Sequence, residues 1–417
     1  MAKNNNDFFD KKKIWSEVKD SLLACYLRPY FQKILMTRKP VFYIDCFAGK
    51  GKFNDGNDGS PLIALKTREA SLQTSLVSNN FKKIDMCFID LRYGEELQKN
   101  TNFYRKDGYI QIVSGKYEEK ILDLLRDKAG YNIFLYIDPY GIKALDAGLF
   151  SQFSSYNFAS FEMLVNFNSF GFFRAACRVL NVDWSGDEAF RDIDDLIVEY
   201  DPTKIDATKE SEALLTRIAG GDYWKAIAKD YRDRKITGYQ AEKRLSSEYK
   251  KRLSTNFEYV LDLPIRMKAG QQPKYRMVHV SNHEDACFLM AQNMLKRTDE
   301  IYTHIQKESQ GSLLEGNSGI VPKSDGAWIS KEDLIKAIKS YLECIEIEIN
   351  ITKFIAGFIS KTGILCNLKN IYSILTELQT QEYLEIRRTP SITKTGKPSK
   401  FWEEKKGQEA ILKRVIQ

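Results

Sequence analysis

Three times in the first third of the chain, an apolar run of strand length stops at an aspartate: Val41-Phe-Tyr-Ile-Asp45, Ile84-Asp-Met-Cys-Phe-Ile-Asp90 and Ile133-Phe-Leu-Tyr-Ile-Asp138. Runs this continuous suit strands covered on both faces. Ile110-Gln-Ile-Val-Ser-Gly115 has the same shape, and Phe161-Glu-Met-Leu-Val-Asn166 repeats it with an amide at its end. Helical spacing fills the intervals at 61–70 after Pro61, at 117–128 and at 145–153. A further helix is expected upstream at 14–36, where Ile14, Trp15, Val18, Leu22, Leu23, Tyr26, Leu27 and Tyr30 recur; Pro29 is expected to kink or end it. Strand alternating with helix predicts a parallel sheet with right-handed crossovers. Polar groups at the C-terminal strand ends place a ligand along that edge.

The rhythm breaks at 172–256, a charged helical stretch containing Gly220-Gly221 that reads as an insertion. It returns with strands at 258–262 and 275–280, expected to form a long hairpin across Pro264, Gly270 and Pro273, and with a helix at 283–297. Residues 306–326 have the Ser, Gly, Asn and Lys content of a linker. Beyond it, helices at 330–342, 351–361 and 368–380 precede strands near 383–388 and 400–403, the order of a winged helix-turn-helix. The expected organisation is an N-terminal helical segment (1–38), an α/β domain (39–305) with its helical insertion, a linker (306–326) and a winged-helix domain (327–417).

Composition narrows the function classes. The 417 residues carry a net charge of +7, which permits nucleic-acid binding without demanding it. Seven scattered cysteines with no CxxC pair indicate neither a zinc knuckle nor a disulfide framework, and suit a reducing cytoplasm. Three histidines argue against a His-rich metal site, so no metal ligands are assigned. The polar N-terminal stretch has no apolar run behind it, so no secretory signal is expected, and no run of about 18 apolar residues suggests a membrane span.

The chemistry concentrates at the strand ends. In Asp45-Cys-Phe-Ala-Gly-Lys-Gly51, Gly49 and Gly51 let the backbone approach a ligand closely. The spelling resembles the S-adenosylmethionine loop of class I methyltransferases, which implies Asp45, Phe47, Ala48, Gly49 and Gly51 as cofactor contacts. Asp90, closing the next strand, is placed to accept hydrogen bonds from ribose hydroxyls. Asp138-Pro-Tyr-Gly141 is similar to the tetrapeptide of amino-group methyltransferases, which carries two prolines where this chain has one. That likeness implies Asp138 and the Pro139 carbonyl as acceptors for a target amine, with Tyr140 stacking on a base. Glu162 is read as a fourth acid on the same edge, pointing along a different face from Asn166. Four gathered carboxylates would also suit Mg²⁺ and phosphodiester cleavage, the rival use of the same residues.

Taken together, Lys19 to Tyr26 with Tyr30, Asp45 to Gly49, Gly59-Ser-Pro61, Phe88 to Asp90, Ile137 to Gly141, Leu164 to Asn166, Gly221 with Trp224, and Tyr275 to His283 with Met290 and Met294 resemble the three-Cys-motif partner proteins of bacteria and phages. The resemblance spans about residues 14–297. It implies a class I, Rossmann-like methyltransferase fold and the protein of an accompanying three-Cys-motif gene as a partner.

The C-terminal unit points to nucleic acid. Arg387, Arg388, Lys394, Lys397, Lys400, Lys405 and Lys406 face only Glu403 and Glu404, a local net of +5. Lys394, Lys397 and Lys400 stand on a Gly-Pro hairpin within reach of phosphates. Lys369 and Tyr372 open the helix that would enter a major groove. The expected function is adenosylmethionine-dependent methylation of nucleic acid, DNA or RNA, at a base amine. The alternatives are a metal-dependent nuclease and a non-catalytic nucleic-acid-binding or regulatory protein that keeps the fold.

Overall fold

The structure, a computed structural model, describes residues 14–75, 83–190, 207–266, 273, 275–310, 329–345, 348–364, 366–402, 404 and 407–415. Seven strands form the main sheet: β1 (Val41–Asp45), β2 (Ile84–Asp90), β3 (Ile110–Ser114), β4 (Asn132–Ile137), β5 (Ser160–Phe167), β6 (Tyr259–Ile265) and β7 (Tyr275–Ser281). Their order is β3-β2-β1-β4-β5-β7-β6. The first five are parallel, and β7 runs antiparallel between β5 and β6. This mixed, mostly parallel α/β sheet is consistent with a Rossmann-like methyltransferase fold. The expected hairpin is the β6–β7 pair.

The continuous apolar runs are explained by cover on both faces. On one face lie α1 (Ile14–Leu35), α2 (Ser60–Thr74), α3 (Gly94–Thr101) and α10 (Glu284–Gln310). Phe31, Tyr43, Phe88 and Phe134 meet there in an aromatic core. Pro29 lies inside α1 and does not end it; packing against α2 and α10 outweighs the one backbone hydrogen bond that proline forfeits. On the other face lie α4 (Tyr117–Arg126), α5 (Ala147–Phe153) and α6 (Ser169–Val179), with the insertion helices α7 (Lys209–Ala219), α8 (Tyr223–Arg232) and α9 (Gly238–Leu253).

A buried ionic network fastens the insertion to the sheet. Arg276 on β7 donates to both oxygens of Glu242 on α9, at 2.6 and 2.9 Å, and to Asp262 on β6 at 2.6 Å. Lys250 also pairs with Asp262. Burial raises the Asp262 carboxyl, but the Lys250 and Arg276 charges outweigh it and hold the group at about 2.

The C-terminal unit comprises α11 (Lys331–Glu343), β8 (Ile349–Asn350), α12 (Ile351–Thr362), α13 (Leu368–Thr380), β9 (Leu384–Thr389) and β10 (Glu409–Arg414), with sheet order β8-β10-β9. Two expectations change here. The last strand is 409–414 rather than 400–403: Ala410 and Leu412 point into the core, while Phe401 and Trp402 lie on a loop. The first residues of the stretch read as a linker, 306–310, belong to α10, which continues through Gln310; residues 311–326 lie outside the described residues. The unit also joins the main body directly. The Val260 N–H donates to Ser360 Oγ at 2.9 Å, and Cys287 of α10 lies against the Ala356 carbonyl. Among the described residues no helix is long and apolar enough to cross a membrane.

Candidate functional site at the C-terminal strand ends

The chain moves outward from β1 to β2 and β3, then crosses back to β4 on the other side of β1. That reversal opens a crevice at the carboxyl ends of β1 and β4, the place where open α/β sheets hold ligands. Asp45 ends β1 there, and Asp138 follows the last residue of β4.

Asp45 is fully buried. Its carboxylate accepts from the Phe47 N–H at 3.1 Å and from Ser60 Oγ at 2.6 Å. Burial pushes the carboxyl up to about 7 even though both hydrogen bonds pull it down. The loop that follows is braced at each turn. Ala48 N–H donates to the Ile89 carbonyl at 2.9 Å, Asn100 Nδ2 to the Lys50 carbonyl at 2.7 Å, and Gly59 N–H to the Gly51 carbonyl at 2.9 Å. Gly49 and Gly51 have φ of 58° and 76°, the left-handed region that glycine enters without a steric penalty. At Gly51 a Cβ would also come within 3.1 Å of Leu97 Cδ1. Phe47 is half-buried, its ring 5.3 Å from that of Tyr117.

Asp90 is tied to this loop. One oxygen accepts from the N–H groups of Arg92 and Tyr93 at 2.7 and 2.6 Å; the other accepts from the Gly49 N–H at 2.9 Å. Three of its four acceptor positions are thus filled by backbone, and one is left. The sequence did not indicate this task, fixing the glycine loop against the end of β2.

Asp138 accepts more hydrogen bonds than Asp45 or Asp90. Lys19 Nζ, from α1, reaches both oxygens at 2.9 and 2.7 Å, Asn166 Nδ2 donates at 2.6 Å and the Tyr136 hydroxyl at 3.3 Å. The Lys19 side chain is 8% exposed and that of Asp138 22%. Lys19 also stands 5.1 Å from the Tyr275 ring centroid. Pro139 is buried, while Tyr140 is 42% exposed beside the crevice. Lys19, Tyr136 and Asn166 were not assigned to this site from sequence.

Glu162 does not belong to this edge. It lies near the start of β5, about 13 Å down the strand from Asn166. It accepts from the Tyr26 hydroxyl and faces His279 Nε2 at 3.0 Å, a cluster sealed beneath α1. Glu162 and Asn166 also share one face of the strand, as residues four apart must, rather than the opposite faces expected. The group of four acids is therefore three. Among the described residues no three His, Cys, Asp or Glu side chains gather in a way that would hold a metal ion.

No family model and no curated protein matches the chain. Solved structures similar to it include the following two. One is a conserved hypothetical protein of Streptococcus pyogenes, 12% identical, with TM-score 0.22 over 31% of this chain and 69% of that one. The other is the plantazolicin methyltransferase BamL, in complex with a triazolic desmethylPZN analog and SAH, 12% identical, with TM-score 0.26 over 65% of this chain and 85% of that one. The Rossmann-like character of the sheet lies in its strand order and sense.

The basic C-terminal residues divide into two groups. Arg387 pairs with Glu348, and Arg388 donates to the Phe401 carbonyl at 3.0 Å with its guanidinium 5.0 Å from the Trp402 ring centroid. Tyr372 stacks on the same indole, centroids 5.0 Å apart and planes 4° from parallel. Beyond this stack, residues 391–399 close as a small hairpin. Thr393 N–H donates to the Lys397 carbonyl at 2.7 Å, and Ser399 N–H to the Ser391 carbonyl at 2.8 Å. Lys394, Lys397 and Lys400 are exposed on it, and Lys369 is exposed at the start of α13.

Proposed function

We propose that the protein is an S-adenosylmethionine-dependent methyltransferase acting on nucleic acid at a base amino group. The observation that carries the reading is the hydrogen bond from the Gly49 N–H to Asp90, at the ends of adjacent parallel strands beside the topological switch point. It joins a left-handed glycine loop, open to close approach by a ligand, to an acid with one acceptor position left for a ribose hydroxyl. In this reading Asp45, Phe47, Ala48, Gly49 and Gly51 form the cofactor loop. Asp138, the Pro139 carbonyl and Tyr140 would form the acceptor side of the crevice, and S-adenosylmethionine held by the loop would supply the methyl group for the base nitrogen.

The C-terminal unit is read as a winged helix that docks the substrate. Support comes from its order of helix, strand, two helices and two strands, and from the three exposed lysines on the hairpin. Phosphate contacts of this kind position a substrate without reading its sequence. The product of an accompanying three-Cys-motif gene is a second proposed partner.

The test is transfer of a labelled methyl group to mixed DNA and RNA. Asp138→Ala is expected to abolish transfer and leave cofactor binding nearly intact. Metal-dependent strand cleavage with no methyl transfer, lost in the same variant, would instead favour a nuclease.

A further inference from the structure

The insertion helices frame a second concave site, which methyl transfer at the strand ends does not use. A cleft of about 740 Å³ opens between α5 and helices α7 and α8, a size suited to a small organic group. Its small residues, Gly148, Ala213, Gly220 and Gly221, leave room for a flat ring. Gly220 has a φ of 67°, and a Cβ there would come within 3.0 Å of Ala147 Cβ, so the corner between α7 and α8 is pressed against the start of α5. At Gly221 a Cβ would lie 3.4–3.5 Å from three guanidinium atoms of Arg252. That group therefore lies face-on over bare backbone at the rim of the cleft, 5.7 Å from the Tyr223 ring centroid. The lining is cationic. Arg217 is fixed by Asp146 at 2.9 Å and Lys225 by Glu212, whereas Lys209 and Arg252 are exposed and form no ion pair among the described residues. Four cations against two acids leave the cleft net positive. Helix α5 starts soon after Asp138, beyond the carboxyl end of β4, so the cleft opens on the same sheet edge as the crevice.

We propose that this cleft binds a nucleotide that neighbours the target base in a single strand. Its phosphate meets Lys209 and Arg252, the two cations without an internal partner, and its base enters the space over Ala213 and the glycines. A base stacked and paired in a duplex cannot enter such a space without leaving the helix, so the cleft favours single-stranded over duplex nucleic acid. This inference rests on the nucleic-acid reading for its ligand, but not on methyl transfer.

Fluorescence anisotropy of the full chain with a labelled single-stranded oligonucleotide, and with the same sequence as a duplex, tests it. Lys209→Ala/Arg252→Ala should weaken single-strand binding by about tenfold, the equivalent of a lost charged hydrogen bond. It should also lower the log–log salt slope by about 0.7 for each lost contact to a single strand. Ala213→Trp fills the cleft and leaves its charge alone; it should weaken single-strand binding by about tenfold, the scale of one lost base contact, at an unchanged salt slope. Duplex affinity should stay at the wild-type value in both variants. All three positions are exposed, so the variants should fold, which their thermal midpoints verify. Wild-type affinity in both variants, or equal losses for strand and duplex, overturns the proposal and leaves the nucleic-acid reading standing. Displacement of the strand by an equal concentration of free nucleoside monophosphates makes the cleft a small-molecule site and also overturns it. A wild-type protein that binds neither strand nor duplex overturns both. Cleft-dependent strand binding by a protein that transfers no methyl group would keep the cleft and discard the enzyme.

Discussion

At the scale of single residues, Asp45 and Asp90 end adjacent parallel strands in different surroundings. Asp45 has a folded pKa of about 7 against an ordinary 3.8. Folding therefore favours its protonated form. That stabilisation is complete below about pH 4 and is lost as pH rises through about 7. Asp45→Asn, isosteric and uncharged, should raise the thermal midpoint by a few degrees at pH 8 and leave it unchanged at pH 4; melting curves across that range test this, and a shift of equal size at both pH values would contradict it. Asp90 holds three backbone N–H groups as well as the proposed ribose, so Asp90→Ala should weaken adenosylmethionine binding by about tenfold or more, the equivalent of a lost charged hydrogen bond. It should also lower the midpoint, because the glycine loop loses its anchor. Asp45, Asp90 and Asp138 were legible in the sequence because each ends an apolar run. Lys19 was not: a lysine on an amphipathic helix carries no mark of the partner it finds 119 residues away.

Elements follow the same division. The parallel strands and the helices between them are written as local patterns: β1, β2, β4 and β5 are buried and almost wholly apolar, while β3 at the sheet edge is only partly buried. Strand β10 was missed because its run, Glu409-Ala-Ile-Leu-Lys-Arg414, is short and charged at both ends, whereas Phe401 and Trp402 resemble a strand but lie on a loop where Trp402 stacks on Tyr372 and Arg388 and the Phe401 carbonyl accepts from Arg388. The insertion helices depend on a network that no local pattern announces. Arg276→Ala would leave Glu242 buried without its main partner and should cost about 3–5 kcal/mol in urea unfolding; a loss below about 1 kcal/mol would mean the helices are held by apolar packing alone. For the hairpin at 391–399, replacing Lys394, Lys397 and Lys400 with Ala should weaken binding to nucleic acids of every sequence by similar factors. It should also flatten the salt dependence by about 0.9 in log–log slope for each lost duplex phosphate contact. Fluorescence anisotropy at several salt concentrations measures both, and a triple variant that binds like wild type throughout would make this unit a protein-interaction module.

Over the whole molecule, the sheet that forms the crevice and the unit that carries the exposed lysines share a core. Helix α12 packs on β6 and α10, and α10 packs in turn on α1, which carries Lys19. The C-terminal unit is thus not an appendage on a tether, and nucleic acid held by its hairpin would lie at a fixed bearing to the strand ends. The sequence suggested two separated units because composition at 306–326 reads as a linker; it does not report the apolar contacts made on either side of it. The proposed methyl transfer depends on the occupant of the loop between Asp45 and Gly51. Isothermal titration of the folded protein with S-adenosylmethionine tests that most directly. The account predicts saturable one-to-one binding that Asp90→Ala weakens by about tenfold or more and that Asp138→Ala leaves nearly unchanged. No binding at millimolar cofactor by a protein that melts cooperatively would contradict it.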